Sequence, residues 1–297
     1  MAVHPLIQKL IAQGPILTDG AWGTQLQARG LGPGEIPDLW NITHPDAVIS
    51  VAKAYVEAGS QVILTNTFGA NRFRLAECNA ADEAKTINEA GVRMSRQAAA
   101  GHALVFASIG PSGKMLMTGD VAEDWLYAAF LEQAQALAAG GADALVVETM
   151  ADVNEAALAV RAAKTTGLPV VASMVFDSGK DKDRTMMGTT PEQAAARLGE
   201  EGADVIGANC GQGVAGFVKI CARFKAAAGG LPVWIKANAG LPKIVDGQSV
   251  YETTPEEFAS YVPDLLKAGA NFIGGCCGTS PDFVRVLRAK LDSLAKT

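Results

Sequence analysis

The chain carries little of what usually announces a macromolecular partner. Its 25 Lys and Arg stand against 31 Asp and Glu, a net charge of −6 with no basic excess. That balance argues against nucleic acid and against acidic membrane surfaces as partners. Five cysteines in 297 residues are too few, and odd in number, for a disulfide framework. Only three histidines occur. His4 and His102 sit in no pattern, and His44, just before Pro45, reads as a structural residue at a helix start, so histidine-based catalysis is not expected. No apolar run approaches the ~20 residues of a membrane span, and residues 1–14 lack the charged-then-apolar order of a signal peptide. No Gly/Ser- or Pro-rich tract marks a linker. The expectation is a single domain over residues 1–297, cytoplasmic, with no membrane and no nucleic-acid partner.

What is present is a repeat. A glycine, a small residue and a polar one lead into an apolar run at Gly59-Ser60-Gln61-Val62, Gly141-Ala142-Asp143-Ala144, Gly202-Ala203-Asp204-Val205 and Gly269-Ala270-Asn271-Phe272. Such a glycine suits the left-handed residue that ends a helix. The apolar runs suit strands buried on both faces. Further strands are expected over 15–18, 103–108, 169–174 and 232–236, making eight, near residues 16, 63, 105, 145, 171, 205, 234 and 272. Amphipathic helices lie between them: Val48, Val51, Ala52, Tyr55 and Val56 share one face. Thr190-Pro191-Glu192-Gln193 and Thr254-Pro255-Glu256-Glu257 read as capped helix starts, with Ser280-Pro281 a weaker version. Eight strand–helix units in this length point to an α/β fold, a (β/α)8 TIM barrel. A doubly wound sheet is the rival, but its glycine-rich phosphate fingerprint is missing. The charged segment 177–184 is a candidate mobile flap.

Barrel sites sit where strands end. The ends of these strands collect Asp19-Gly20, Thr65-Asn66-Thr67, Ser108, Glu148, Asn209-Cys210, Asn238 and Cys276-Cys277. Three thiolates at the ends of two strands suit zinc and leave its fourth position open. The alternatives are packing as small buried hydrophobes, or a strained Cys276–Cys277 disulfide. Cys78 and Cys221, in helix-like segments, read as packing residues. Asp19 and Glu148 either cap helices, pair with lysines, or receive the ammonium of a small substrate.

The stretches Asp19-Gly20-Ala21-Trp22-Gly23-Thr24, Thr65-Asn66-Thr67-Phe68, Gly110-Pro111-Ser112-Gly113-Lys114, Glu148-Thr149, Gly207-Ala208-Asn209-Cys210-Gly211, Asn238-Ala239-Gly240-Leu241-Pro242 and Gly274-Gly275-Cys276-Cys277-Gly278-Thr279 resemble the homocysteine S-methyltransferase family. The resemblance runs nearly the whole chain, and order and spacing are similar to the homocysteine-binding module of cobalamin-dependent methionine synthase. It implies a (β/α)8 barrel with Zn2+ on Cys210, Cys276 and Cys277, and homocysteine joining through its sulfur. By position, Asp19, Gly20, Thr67 and Glu148 match residues that hold the amino-acid end of the substrate, with Ser108 a further candidate. The implied reaction is methyl transfer to homocysteine, giving methionine. The methyl donor is a separate small molecule or a separate corrinoid protein, since the barrel takes up the whole chain. Ile36 stands about where betaine-using relatives place a tryptophan, so betaine is not the expected donor; Ala237 replaces a frequent proline. The alternative is a zinc-thiolate methyltransferase or demethylase acting with a different thiol. A zinc-storage or redox-sensing barrel is the non-enzymatic rival.

Overall fold

The computed structural model describes residues 3–245 and 248–296. Its barrel strands are β1 (Ile16–Leu17), β2 (Val62–Ile63), β3 (Leu104–Ile109), β4 (Ala144–Met150), β5 (Val170–Met174), β6 (Val205–Cys210), β7 (Val233–Ala237) and β8 (Ala270–Gly275). All eight anticipated positions carry a strand. The pairings are parallel, and the order runs β1-β8-β7-β6-β5-β4-β3-β2. First and last strands are neighbours, with Ile16 opposite Phe272. A parallel bridge from Thr18 to Val62 joins β1 to β2. The sheet thus curls into a nearly closed TIM-like barrel, and the open-sheet rival falls away.

Period-two alternation sorts the strand residues. Ile16, Val62, Phe106, Val146, Val171, Val205, Trp234 and Phe272 form one apolar cluster inside the barrel. Leu17, Ile63, Val105, Leu145, Val147, Ala172, Ile206, Ile235 and Ile273 belong to the larger cluster shared with the surrounding helices. The helix Pro5–Ile11 adds Ile7 and Leu10 to the inner cluster. His4 N donates to Asp204 Oδ1 beside the start of β6, which places this helix across the N-terminal mouth.

Helix ends follow the local signals. Gly59, Gly141, Gly202 and Gly269 all have φ between 91° and 101°, the left-handed conformation the repeat implied. Thr190 and Gln193 form a reciprocal capping box, and Thr254 Oγ1 accepts from Glu257 N. Ser280 makes no such bond, although Pro281 opens its helix. His44 precedes the helix Pro45–Glu57 and stacks on Trp40 with ring centroids 4.3 Å apart. The segment 177–184 is fastened at both ends: Ser178 bridges Arg184, and Asp183 pairs with Lys219 and Arg223. Among the described residues, no helix is long and apolar enough to cross a membrane.

Candidate metal and substrate site

Two residues above the inner apolar layer, the same alternation turns polar. Ser108 follows Phe106, Glu148 follows Val146, Ser173 follows Val171, and Lys236 follows Trp234. The barrel therefore has a greasy floor and a polar mouth at the C-terminal ends of its strands.

The three predicted thiols meet there. Cys210 Sγ lies 3.6 Å from Cys277 Sγ and 3.6 Å from Cys276 Sγ, and all three sulfurs lie within 4.8 Å of one another. A tetrahedral ion with bonds of ~2.3 Å to sulfur needs its sulfurs about 3.8 Å apart, so this spacing suits one ion shared by three thiolates. A disulfide needs about 2.05 Å, and all five cysteines are free. Cys221 is buried in the helix Val214–Ala227, and Cys78 is half-buried in the turn after the helix Arg72–Ala76; neither belongs to the cluster.

Close backbone packing brings the sulfurs together. A Cβ on Gly274 would meet Thr18 Oγ1 at 1.9 Å, and one on Gly275 would meet Thr279 Oγ1 at 2.3 Å. Only glycine lets β8 lie this close to the β1 loop. Cys210 sits at φ 66°, and Thr149, at the end of β4, at φ 60°. Both are left-handed non-glycine residues, a costly conformation that needs support. Between Val147 and Met150 the register of β4 on β5 slips, so that Glu148 and Thr149 oppose Ser173 alone. This bulge re-aims β4 at the mouth. Asn209 supports it: its Oδ1 accepts from Thr149 N at 2.8 Å and Ser173 Oγ at 2.7 Å. Its Nδ2 donates to Thr149 Oγ1 at 2.6 Å and faces Cys276 Sγ at 3.8 Å.

The thiols share protons unequally. Hydrogen bonds with Cys210 and Cys276 pull the Cys277 thiol down to about 3. Cys210 is driven well up by its bonds to Cys276 and Cys277 and by burial. For Cys276 the bond with Cys210 lowers the value, but its bond with Cys277 and its burial outweigh that and leave it at about 11. One thiolate held by two thiols is a set that a divalent cation completes by displacing protons.

The carboxylates lie below the sulfurs. Asp19 is fully buried. Its Oδ1 pairs with the ammonium of Lys236, and its Oδ2 accepts from Trp22 Nε1 at 2.8 Å and Leu64 N at 2.7 Å. Glu148 is 7% exposed and accepts from Ser108 Oγ at 2.5 Å. Burial pushes its carboxyl up to about 7, while Lys236 pulls the other way. Burial alone would depress Lys236; Asp19 and Glu148 outweigh it and hold the ammonium above its ordinary value.

Gly20 is buried where a Cβ would meet Thr279 Oγ1 at 2.7 Å and the Tyr55 hydroxyl at 2.8 Å. Thr67 is buried with its hydroxyl engaged: it donates to Ser108 O at 2.7 Å and lies 2.6 Å from Thr65 Oγ1. Asp19, Ser108, Glu148 and the three cysteines thus share the mouth, with Gly20 and Thr67 in the loops around it.

A family model described as homocysteine S-methyltransferase matches residues 16–291. The chain belongs to the homocysteine S-methyltransferase family. It is 31% identical over 295 residues to methionine synthase from Mycobacterium leprae, covering 94% of this chain and 24% of that protein. The chain thus spans about a quarter of the length of the methionine synthases it matches. Betaine–homocysteine S-methyltransferase 1 from Danio rerio is 29% identical over 316 residues, covering 97% of this chain and 76% of that one. In fold, the chain is similar to the homocysteine methyltransferase MmuM from Escherichia coli in its metallated form. The TM-score is 0.80 at 24% identity, with 97% of this chain and 100% of that chain covered.

Three residues of this family member escaped the sequence reading. Lys236 was legible in principle: it is the one charged residue in Val233-Trp234-Ile235-Lys236-Ala237, and alternation places it on the inward face with Trp234. Asn209 stood in the cysteine motif without an assigned role. Tyr251, which follows the hairpin of Lys243–Val245 and Gln248–Val250, lays its ring over Gly278, where a Cβ would fall 2.2 Å from its Cγ. Nothing local predicted that contact.

Proposed function

We propose that this protein transfers a methyl group to the sulfur of homocysteine, giving methionine, with Zn2+ held by Cys210, Cys276 and Cys277. The observation that carries the reading is the trio of sulfurs spaced for one tetrahedral ion at the mouth of a barrel. The all-thiolate set favours zinc among common divalent ions. When bound, the ion would keep an incoming thiol deprotonated at neutral pH, which a free thiol, titrating near ~8.5, is not.

The chain's own residues then do two things. The carboxylates below the sulfurs offer negative charge to the ammonium of an amino acid, which fixes the acceptor and lowers the entropic cost of alignment. Asn209, Thr149 and the glycines of β8 hold the sulfurs in place before substrate arrives, so little reorganisation is needed. The acceptor sulfur gains the methyl group and the donor leaves with the electron pair of the broken bond. The donor is a small molecule with an activated methyl group or a methyl-corrinoid.

X-ray absorption at the zinc edge, with and without homocysteine, tests the acceptor. A fourth sulfur joining the shell is the expected result; an unchanged shell refutes it. A screen of methyl donors read out as methionine then identifies the other substrate.

A further inference from the structure

The two adjacent thiols are fastened to different loops. The Cys277 carbonyl accepts from Ala239 N, after β7, at 2.9 Å. The Cys276 carbonyl accepts twice from one residue, Thr279: from its backbone N–H at 3.1 Å and from its hydroxyl at 2.7 Å. Thr279 is buried, and the same hydroxyl oxygen accepts from Ala21 N at 3.1 Å. A chain of hydrogen bonds therefore runs from the β1 loop through Thr279 to the peptide that carries the Cys276 thiol. A hydroxyl that donates and accepts at once is polarised by both partners, and away from solvent each bond strengthens the other. Tyr55, fully buried on the helix Pro45–Glu57, anchors the far end. Its hydroxyl donates to Ala21 O at 2.6 Å and lies 3.4 Å from Thr279 O. Between Thr279 and Tyr55, position 20 has room for glycine alone. The turn Asp19-Gly20-Ala21 cannot shift without moving Thr279, and Thr279 cannot move without turning Cys276.

We propose that Thr279 is a positioning residue for the metal: its hydroxyl couples the β1 loop to the Cys276 ligand, so that the loop sets the direction of that thiol. Tyr55 acts in the same relay by fixing Ala21. This inference rests on the metal site proposed above and concerns how its ligands are held. The relay crosses from one end of the chain to the other, since Ala21 and Thr279 are 258 positions apart.

The test uses metal binding, without turnover. Affinity for Zn2+ is measured by competition with a chelator, and ligand geometry by the visible spectrum of the Co2+-loaded protein. Thr279→Val keeps the shape of the side chain and removes the hydroxyl. It should bind Zn2+ about ten- to a hundredfold more weakly, the effect of losing a partner behind the ligands, and change the Co2+ spectrum. Thr279→Ser restores the hydroxyl and should return both to within about threefold of wild type. Tyr55→Phe should weaken Zn2+ binding roughly three- to tenfold, the range of one neutral hydrogen bond. Because both residues act through one relay, the double variant Tyr55→Phe/Thr279→Val should bind within about threefold of Thr279→Val alone. Far-UV circular dichroism and a cooperative urea transition establish that each variant is folded. A folded Thr279→Val with a lower urea midpoint but wild-type affinity and Co2+ spectrum overturns the assignment, because Thr279 then serves folding alone. Multiplicative losses in the double variant overturn the shared relay. If the wild type binds neither ion, the metal reading itself fails and takes this one with it. Should Thr279→Val not fold, Tyr55→Phe decides: unchanged Zn2+ affinity overturns the proposal.

Discussion

Asn209 and Thr149 clasp each other across the ends of two strands. The amide oxygen of Asn209 accepts from the Thr149 backbone at 2.8 Å, and its nitrogen donates to the Thr149 hydroxyl at 2.6 Å. The clasp holds a β-branched residue at φ 60° beside Glu148, while the next residue after Asn209 is the left-handed Cys210. Asn209→Ala strips partners from the Thr149 N–H and from the Ser173 hydroxyl. The expected loss is roughly 2–4 kcal/mol of stability and about ten- to a hundredfold in metal affinity. Urea unfolding and competition with a chelator measure the two. A variant with wild-type metal affinity would show that the clasp serves folding only.

Metal binding should release protons. With Cys277 lowered and Cys210 and Cys276 raised, the metal-free cluster carries one thiolate at neutral pH. Filling it displaces about two protons per ion, and affinity climbs roughly a hundredfold per pH unit near neutrality. Calorimetry in buffers of different ionisation enthalpy counts them. Cys210→Ala should lose metal and activity together; a fully active, metal-free variant contradicts the site.

Asp38 supplies a pH dependence of stability. It is 3% exposed, its Oδ1 accepts from Gly69 N at 2.9 Å, and burial raises its carboxyl from 3.8 to about 6. Between those values the folded state binds more protons than the unfolded chain. Its contribution to stability is therefore most favourable below pH 4 and declines as pH rises towards 6. Asp38→Asn keeps the acceptor and removes the desolvated charge. Relative to wild type it should gain roughly 2–3 kcal/mol at pH 7 and little at pH 4, read as the difference of two urea-midpoint profiles. A pH-independent difference would sink this.

Gly278 is held by two constraints at once. Its φ is +80°, and the ring of Tyr251 occupies the space of a Cβ. Gly278→Ala should cost roughly 1–3 kcal/mol and displace Tyr251 from beside Cys277. Adding Tyr251→Ala removes the clash but not the backbone cost, so it should recover only part of the loss. Full recovery would mean that backbone conformation contributes nothing.

The barrel was readable because its signals are local. A glycine before each of four apolar runs, threonine–proline helix starts and period-two strands act over a few residues, and no distant contact overrides them. The cysteines were readable because a thiol pair between glycines at a strand end, with a third thiol at another strand end, admits few chemistries. The hairpin after β7 and the helix Pro5–Ile11 were not read. The hairpin does carry a strong local signal, Asp246-Gly247 between two short runs in the sequence, but three-residue strands are too short to stand out as strands, and the seven residues of the helix make a weak helical pattern whose purpose, closing the N-terminal mouth, exists only once the mouth does.

Composition and spacing in the chain alone determined an eight-unit α/β barrel and three sulfurs at one end of it, because secondary structure and ligand type follow from nearby residues. Which carboxylate is paired was decided only by tertiary structure. Lys236 and Asp19 are 217 positions apart in the chain, and closure of β7 and β1 around β8 alone brings that ammonium to that carboxylate. A charge pair formed by barrel closure leaves no periodic trace along the chain.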